Sequence, residues 1–205
     1  MTLSRPPAAN TPAQTPEIEA EWIASARAGD REAFGKLVEL HQDAVMTIAY
    51  RVTGHRDDAE DVAQQAFLKA FRSITGFTGR SSFRTWLITI ATNTARTLAS
   101  HRRALKRSGP VVRIEGGQER DGLDPPSPKG REDPEEHTLR VEFKAAVEGA
   151  IASLDAEARA AVVMRDLAGE SYDAIAAALD LPVGTVKSRI HRARLELREK
   201  LKKYL

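Results

Sequence analysis

The sequence predicts an all-α fold with two small helical domains joined by a flexible linker, the C-terminal domain being a helix-turn-helix. Three observations lead to this prediction. Apolar residues recur at intervals of three and four along most of the chain, which is the period of an α-helix. Aromatic residues make up only 5% of the 205 residues, which is sparse for a β-sandwich core. Residues 108–137, rich in glycine, proline and acids, lack this period and are too long for a connection inside one compact domain.

The N-terminal part of the chain opens with a tail and two helices. Residues 1–16 are rich in proline, alanine and threonine, a composition typical of disordered segments. The apolar pattern of the first helix ends near Gly29. Asp30 is a suitable N-cap for the second helix, and Gly54 is a suitable residue to end it.

Two further helices complete the first domain. Asp57 or Asp58 begins the third helix, and a loop with two glycines separates it from the fourth. The fourth helix starts near Phe83 and ends in a basic tail at residues 101–107. Four helices of this size can close one small core, so the sequence predicts a domain over residues 17–107.

The second domain is predicted over residues 138–205. After a first helical pattern, one segment starts at Asp155, and Ser171 can cap a short helix. A tight turn with proline and glycine, residues 180–184, leads into a last helix over about 183–203. A short helix, a tight turn and a longer basic helix form the layout of a helix-turn-helix.

Charge is distributed in blocks. The net charge is 31 − 29 = +2, but no acidic residue occurs between Asp61 and Glu115, where ten basic residues lie. Residues 183–205 hold eight basic and two acidic side chains, whereas residues 30–61 hold four basic and eight acidic ones. Basic surfaces free of acids attract phosphate backbones, and an acidic surface suits a basic protein partner.

Composition also excludes several classes of protein. Cysteine is absent, which removes disulfides, thiol nucleophiles and cysteine-ligated metals. No apolar run approaches membrane-spanning length and no signal peptide is evident, so we expect a cytoplasmic protein. The histidines are scattered without a metal-ligand spacing, and no phosphate-binding glycine loop follows a strand. We therefore expect no metal, no cofactor and no catalytic residues.

The last helix separates into two faces when it is projected at ~100° per residue. The apolar side is predicted to consist of Val186, Ile190, Ala193, Leu197 and Leu201. Serine, histidine and arginine lie opposite, near the N-terminal end of the helix, where such side chains can read base edges in a major groove.

The stretch from Tyr172 to Arg194, with its core Pro-Val-Gly-Thr-Val-Lys-Ser-Arg, resembles the promoter-reading helix-turn-helix of the bacterial sigma-70 family. In this family the module reads the −35 promoter element. The resemblance implies DNA contacts at Thr185, Lys187, Ser188, Arg189, His191, Arg192 and Arg194.

The first domain carries two further stretches similar to the same family. Residues 57–71 are similar to the helix that binds the polymerase clamp, which implies polymerase contacts at Asp58, Asp61, Gln64, Gln65, Phe67 and Leu68. Many relatives have Glu where this chain has Gln65. Residues 83–96 resemble the helix that handles the −10 element. In the family, the loop before this helix takes up a flipped base. The implied DNA contacts there are Gly79, Arg80, Ser81, Ser82, Asn93 and Arg96.

The small size matches the extracytoplasmic-function (ECF) subgroup. The resemblance implies a factor that binds the clamp and flap regions of core RNA polymerase, directs it to promoter DNA and associates with the nucleoid while bound. It also implies an anti-sigma factor as partner. A stand-alone helix-turn-helix repressor is the alternative, but it does not account for the acidic third helix. An enzyme and a helical protein adaptor fit the sequence less well.

Overall fold

The computed structural model describes residues 16–108 and 134–204, and these two ranges contain helices and turns but no strand. The helices are α1 (Pro16–Arg27), α2 (Arg31–Thr53), α3 (Arg56–Ser73), α4 (Phe83–Ser108), α5 (Pro134–Ser153), α6 (Ala156–Val162), α7 (Tyr172–Leu179) and α8 (Val183–Lys200). The all-α fold is as predicted. Most of the predicted tail and linker lies outside the described residues.

Helix ends form where the sequence indicates them. The Asp30 carboxylate accepts hydrogen bonds from the backbone N–H groups of Glu32 (2.8 Å) and Ala33 (3.2 Å), which caps α2. Gly54 follows α2 with φ +80°, a left-handed conformation that glycine adopts without strain. The Ser171 hydroxyl caps α7 by accepting from the N–H of Ala174 at 3.1 Å.

Three boundaries differ from the sequence predictions. Helix α3 begins at Arg56 and has no side-chain cap, so neither Asp57 nor Asp58 begins it. Helix α4 continues to Ser108, because the alanine, leucine, lysine and arginine of its last turns are good helix formers. Helix α5 starts at Pro134, inside the predicted linker, since proline is well suited to the first turn of a helix.

The segment after α6 contains a feature that the sequence did not indicate. Residues Val163–Leu167 form a single π-helical turn, in which the N–H of Ala168 reaches back to the carbonyl of Val163 at 3.1 Å. Such turns insert one extra residue into a helix and are frequent at functional sites. Gly169 then ends the segment with φ +76°.

Helices α1–α4 form the N-terminal lobe, which packs around a core of aromatic and aliphatic side chains. The rings of Phe77 and Phe83 meet edge to face at 5.6 Å, and the Trp86 ring lies 5.2 Å from Phe77. Trp86 is partly buried and packs against this core. Its position fixes the start of α4 against the preceding loop.

Helices α5–α8 form the C-terminal lobe, which contains the helix-turn-helix. Val186, Ile190 and Ala193 on α8 are buried, as the helical projection predicts. Asp180 adopts a left-handed conformation (φ 54°) between α7 and α8. The N–H of the next residue, Leu181, bonds the carbonyl of Ala176 and closes the turn.

The two lobes pack against each other. Ile48, Val52 and Ile88 of the N-terminal lobe share one apolar cluster with Met164 and Ile175 of the C-terminal lobe. The sequence predicted two domains joined only by a linker. It could not predict this contact, because each apolar stripe is equally compatible with packing inside its own domain.

Arginines supply the polar contacts between the lobes. Arg84 on α4 donates to the carbonyl of Ala168 at 3.0 Å, and Arg96 donates to the carbonyl of Leu179 at 3.2 Å. In the opposite direction, Arg159 on α6 donates to the carbonyl of Val52 at 2.9 Å. Arg51 on α2 and Glu148 on α5 form an ion pair, with Nη1 and Oε1 3.3 Å apart.

Candidate nucleic-acid and protein interfaces

Helix α8 presents one face to solvent and one to its own lobe. Lys187, Ser188, His191 and Arg192 are exposed, opposite the buried apolar side. Thr185 is half-buried, and its carbonyl accepts a hydrogen bond from the Ser188 hydroxyl at 3.0 Å. The structure thus brings the polar residues expected to contact the −35 element together on one accessible surface.

Two arginines at the edges of this surface are held by acidic side chains of the same lobe. Arg189 bonds Glu157 of α6. The Nε of Arg194 donates to Asp166 at 3.2 Å, and the hydrogen bonding to Asp166 raises the pKa of the Arg194 guanidinium above its ordinary value. Asp166 lies on the π-helical turn, so that turn positions a carboxylate beside α8.

Tyr172, the first residue of α7, is a contact residue that the sequence did not assign. The guanidinium carbon of Arg165 lies 4.7 Å from the centre of its ring, and the Nζ of Lys187 lies 5.6 Å from it. An aromatic ring attracts cations over its face. Tyr172 therefore orients Lys187 beside the exposed face of α8. The sequence did not indicate this contact, because Lys187 lies 15 residues after Tyr172.

The residues expected to contact polymerase divide into an exposed group and a buried one. Asp61, Gln64, Gln65 and Leu68 on α3 are exposed, and Leu68 retains 49% of its accessible surface. Phe67 is half-buried against the N-terminal core.

Asp58 is only 4% exposed, although its place in the sequence predicted a position on the polymerase-binding surface. It sits in the first turn of α3, where a carboxylate is stabilised by the positive end of the helix dipole. Asp58 is therefore part of the packed N-terminal lobe, whereas Asp61, Gln64 and Gln65 on the same helix remain accessible.

The part of the loop directly before α4, residues 79–82, is accessible. Gly79 has φ +73°, and Arg80, Ser81 and Ser82 are exposed. The Ser82 hydroxyl accepts a hydrogen bond from the N–H of Thr85 at 3.0 Å and so caps α4. The Ser81 hydroxyl donates to the carbonyl of Ser82 at 3.3 Å, so both serine hydroxyls make hydrogen bonds within this segment.

The other two residues expected at the −10 element do not join this open loop. Asn93 is half-buried, and its Oδ1 has no hydrogen-bond partner in the part of the chain that the structure describes. Arg96 reaches the C-terminal lobe through the carbonyl of Leu179. The structure thus separates the accessible loop from a covered segment of α4.

Metal-binding clusters and membrane spans are both absent from the described ranges. Within residues 16–108 and 134–204, no group of three or more metal-ligating side chains is arranged to hold an ion. No helix in these ranges is long and apolar enough to cross a bilayer.

Comparison with known proteins identifies both lobes. Residues 37–107 match the family Sigma-70 region 2, and residues 144–197 match Sigma-70, region 4. The chain is 37% identical over 180 residues to the RNA polymerase sigma-H factor of Pseudomonas aeruginosa, which covers 88% of this chain and 92% of that protein. It is 39% identical over 168 residues to the ECF RNA polymerase sigma-E factor of Escherichia coli K12, which covers 81% and 85%.

Two solved structures have a similar fold. One is CnrH, in complex with the cytosolic domain of CnrY, with a TM-score of 0.62 and 28% identity, covering 91% of this chain and 98% of that one. The other is the sigma factor RpoE, in complex with the anti-sigma factor NepR from Bartonella quintana, with a TM-score of 0.59 and 28% identity, covering 82% and 96%. The chain belongs to the sigma-70 family, as an ECF-type RNA polymerase sigma factor.

Proposed function

We propose that this chain directs core RNA polymerase to promoters by reading duplex DNA with one lobe and capturing a melted strand with the other. The observation that carries the proposal is the two-faced α8, whose polar side is exposed while its apolar side anchors the helix in the lobe. The chain itself performs no covalent chemistry. Binding energy for promoter DNA drives the opening of the duplex.

At the −35 element, α8 enters the major groove. Arg192 is the strongest candidate for a base contact, because it is exposed and guanidinium groups bind guanine with two hydrogen bonds. Ser188 and His191 make adaptable polar contacts beside it. Lys187, oriented by Tyr172, contacts phosphate and sets the register of the helix on DNA.

At the −10 element, the open loop before α4 receives an extruded base. Gly79, Arg80 and Ser81 supply backbone N–H groups and polar side chains of the kind that bind the edge of an unstacked base. Asn93 and Arg96 on α4 contact the strand that follows. Two weak sites held on one polymerase gain effective concentration, because binding at one site brings the other close to DNA.

Protein partners bind the surfaces that carry less positive charge. The exposed residues of α3 contact the polymerase clamp, and the C-terminal lobe contacts the flap. Because RpoE was solved in complex with the anti-sigma factor NepR, we extend that kind of partner, an anti-sigma factor, to this chain. The factor acts in the cytoplasm and associates with the nucleoid while bound to polymerase.

Run-off transcription with core polymerase tests this function. The templates are a library of upstream regions, and the expected result is start-site selection that requires both the chain and a defined pair of sequence elements. Leu68→Glu should abolish selection by preventing polymerase binding, whereas a substitution at exposed Glu39 of α2 should not. No start-site selection by the folded chain would refute the proposal.

The alternative, a stand-alone repressor, makes a different prediction. A repressor binds duplex promoter DNA tightly without any other protein. A sigma factor of the proposed kind binds the same duplex weakly until core polymerase is added. Gel-shift titrations of one promoter fragment, with and without core polymerase, distinguish the two.

A further inference from the structure

Residues 78–82, which we call the base-binding loop, are exposed, but the residues that flank this loop are buried. Phe77 directly precedes the loop and Phe83 directly follows it, and both rings lie in the N-terminal core. The ring centre of Trp86 lies 5.2 Å from that of Phe77 and 5.5 Å from that of Phe83. These three rings form one aromatic cluster, which holds the two ends of the loop together.

His41 of α2 adds a fourth ring to this cluster. Its ring centre lies 5.5 Å from that of Phe83, and the residue is only 6% exposed. A buried imidazole needs a hydrogen-bond partner, because an unpaired polar group in a core is unfavourable. Glu19 supplies this partner, with its Oε1 3.0 Å from Nε2 of His41. An ionised carboxylate can only accept, so Nε2 of His41 is the donor.

Glu19 belongs to α1, a helix that carries none of the residues proposed to contact DNA or polymerase. Apolar side chains of α1 pack into the N-terminal core, so Glu19 extends from a fixed helix. Helix α1 also contacts the single 3₁₀ turn Ile74–Gly76, which directly precedes Phe77. It therefore supports the base-binding loop at both ends, through this turn on one side and through His41 and Phe83 on the other.

The loop has little support from its own side chains. The hydroxyls of Ser81 and Ser82 bond only to atoms within the segment 82–85. A loop that receives an extruded base binds it more tightly when its hydrogen-bonding groups are ordered beforehand, because ordering a loop upon binding costs affinity. This order has to come from the buried residues at the two ends of the loop.

We propose that Glu19 and His41 are positioning residues for the base-binding loop, and that α1 in this way belongs to the −10 site without touching DNA. Their hydrogen bond fixes the imidazole ring against Phe83, and Phe83 fixes the end of the loop. The ligand of the loop rests on the proposed function. The support that α1 gives to the loop is a property of the free chain.

Four substitutions separate the hydrogen bond from its surroundings. Glu19→Ala removes the acceptor, and His41→Phe keeps a ring beside Phe83 but removes the donor. Glu19→Gln keeps an acceptor oxygen at a similar reach and should behave like the wild type. Glu17→Ala makes the same change of charge at an exposed position in the same first turn of α1, and is the matched control.

Val52→Ala controls for a general loss of stability. Val52 is buried on α2, about 16 Å along the helix from His41 at 1.5 Å per residue. Removing two buried methyl groups leaves a cavity, so Val52→Ala should lower the free energy of unfolding at least as much as Glu19→Ala. Urea unfolding followed by circular dichroism compares the two variants.

A spin label reports the mobility of the base-binding loop in the free chain. The chain contains no cysteine, so Thr78→Cys, at an exposed loop position not assigned to DNA, introduces a single labelling site. Glu19→Ala and His41→Phe should each raise the ratio of mobile to immobile label about fivefold, the effect of one hydrogen bond of ordinary net strength. Their double variant should be no more mobile than either, because both changes break the same contact. Glu19→Gln and the two control variants should match the wild type.

Base capture is measured with core polymerase on a promoter fork whose −10 non-template strand is single-stranded. 2-Aminopurine is placed at each −10 position in turn, and its fluorescence rises when the base leaves the stack. Glu19→Ala and His41→Phe should lower the ratio of captured to stacked base about fivefold, whereas Glu19→Gln, Glu17→Ala and Val52→Ala should not. Binding of the −35 duplex should be the same in all variants, since α1 lies in the other lobe.

Two results would overturn the positioning role. One is a loop of wild-type mobility in folded Glu19→Ala and His41→Phe chains. The other is a mobile loop that captures the base as well as the wild type does. Should His41→Phe not fold, Glu19→Ala decides both measurements, because the Glu19 side chain is partly exposed. If the wild type captures no base at any position, the proposed function of the loop fails, while loop mobility still decides whether Glu19 and His41 hold it.

Discussion

Arg159 Nη1 donates a 2.9 Å hydrogen bond to the carbonyl oxygen of Val52, 107 residues earlier in the chain. Its Nη2 bonds the carbonyls of Ala152 and, at 3.1 Å, Leu154. The side chain is only 8% exposed. One buried guanidinium thus joins the end of α2 in the N-terminal lobe to the end of α5 in the C-terminal lobe.

Replacing Arg159 with methionine should destabilise the protein strongly. Methionine keeps much of the volume but leaves buried carbonyls without donors, which we expect to cost about 2–4 kcal/mol of unfolding free energy. Urea unfolding followed by circular dichroism measures this change. Arg198→Met, at an exposed position of α8, should stay within about 0.5 kcal/mol of wild type. Equal stability of the two variants would contradict the structural role of Arg159.

Two glycines should respond to alanine in opposite ways. Gly79 has φ +73°, which strains any residue with a Cβ, so Gly79→Ala should lose about 1 kcal/mol of stability. Gly35 lies within α2 with open space where an alanine Cβ would stand, so Gly35→Ala should gain about 0.5–1 kcal/mol. Thermal unfolding compares the two variants.

Gly79→Ala should also affect promoter opening more than its stability loss explains. The loop that carries Gly79 is the proposed receptor for an extruded base, and a changed backbone there misplaces its N–H groups. Permanganate footprinting of polymerase complexes measures the melted region. Gly35→Ala should leave the melted region unchanged, and an unchanged result for Gly79→Ala would argue against the base-binding role of the loop.

Lys187 and Arg192 should contribute differently to −35 recognition. Lys187→Ala should weaken binding of the polymerase complex to all promoters alike and lower the slope of log affinity against log salt by about one, because one phosphate contact is lost. Arg192→Ala should cost about 1–3 kcal/mol on the preferred sequence and relax discrimination at one base pair. Competition binding over a set of single-base −35 variants measures both effects. An equal loss of affinity on all −35 variants in Arg192→Ala would show that Arg192 contacts phosphate instead.

Leu68 and Asp58 separate polymerase binding from folding within α3. Leu68 is 49% exposed, so Leu68→Glu should leave the unfolding free energy nearly unchanged while lowering affinity for core polymerase more than about tenfold. Asp58 is buried, so Asp58→Ala should cost about 1–3 kcal/mol of stability. Calorimetric unfolding and binding to immobilised core polymerase give the two readouts. A stable Asp58→Ala variant with weakened polymerase binding would show instead that Asp58 contacts polymerase.

Local patterns determined most of the secondary structure and the two faces of α8. Asp30 and Ser171 cap helices because the groups they bind lie two or three residues away in the chain. Val186, Ile190 and Ala193 are buried together because helical spacing alone places them on one side. The same patterns predicted the exposed residues of α8 and the accessible loop over residues 79–82.

These local patterns could not predict the role of a polar side chain whose partner lies far away in the sequence. Arg84 lies 84 residues from Ala168, and nothing near it in sequence distinguishes it from the other arginines of the acid-free run. For Arg159, the sequence indicates only that it is a single basic residue in the alanine-rich segment 156–161. Asp58 looked like its exposed neighbours, since several acids follow one another closely at the start of α3.

The sequence by itself therefore determined most of the helices, the caps at Asp30 and Ser171, the helix-turn-helix and the family. Only the tertiary structure decided that the two lobes share an apolar cluster, that Asp58 is buried and that Arg96 binds the other lobe. The physical reason is the range of the interactions. Helices and caps depend on groups a few residues apart, whereas burial and long-range hydrogen bonds depend on which surfaces meet after the chain has folded.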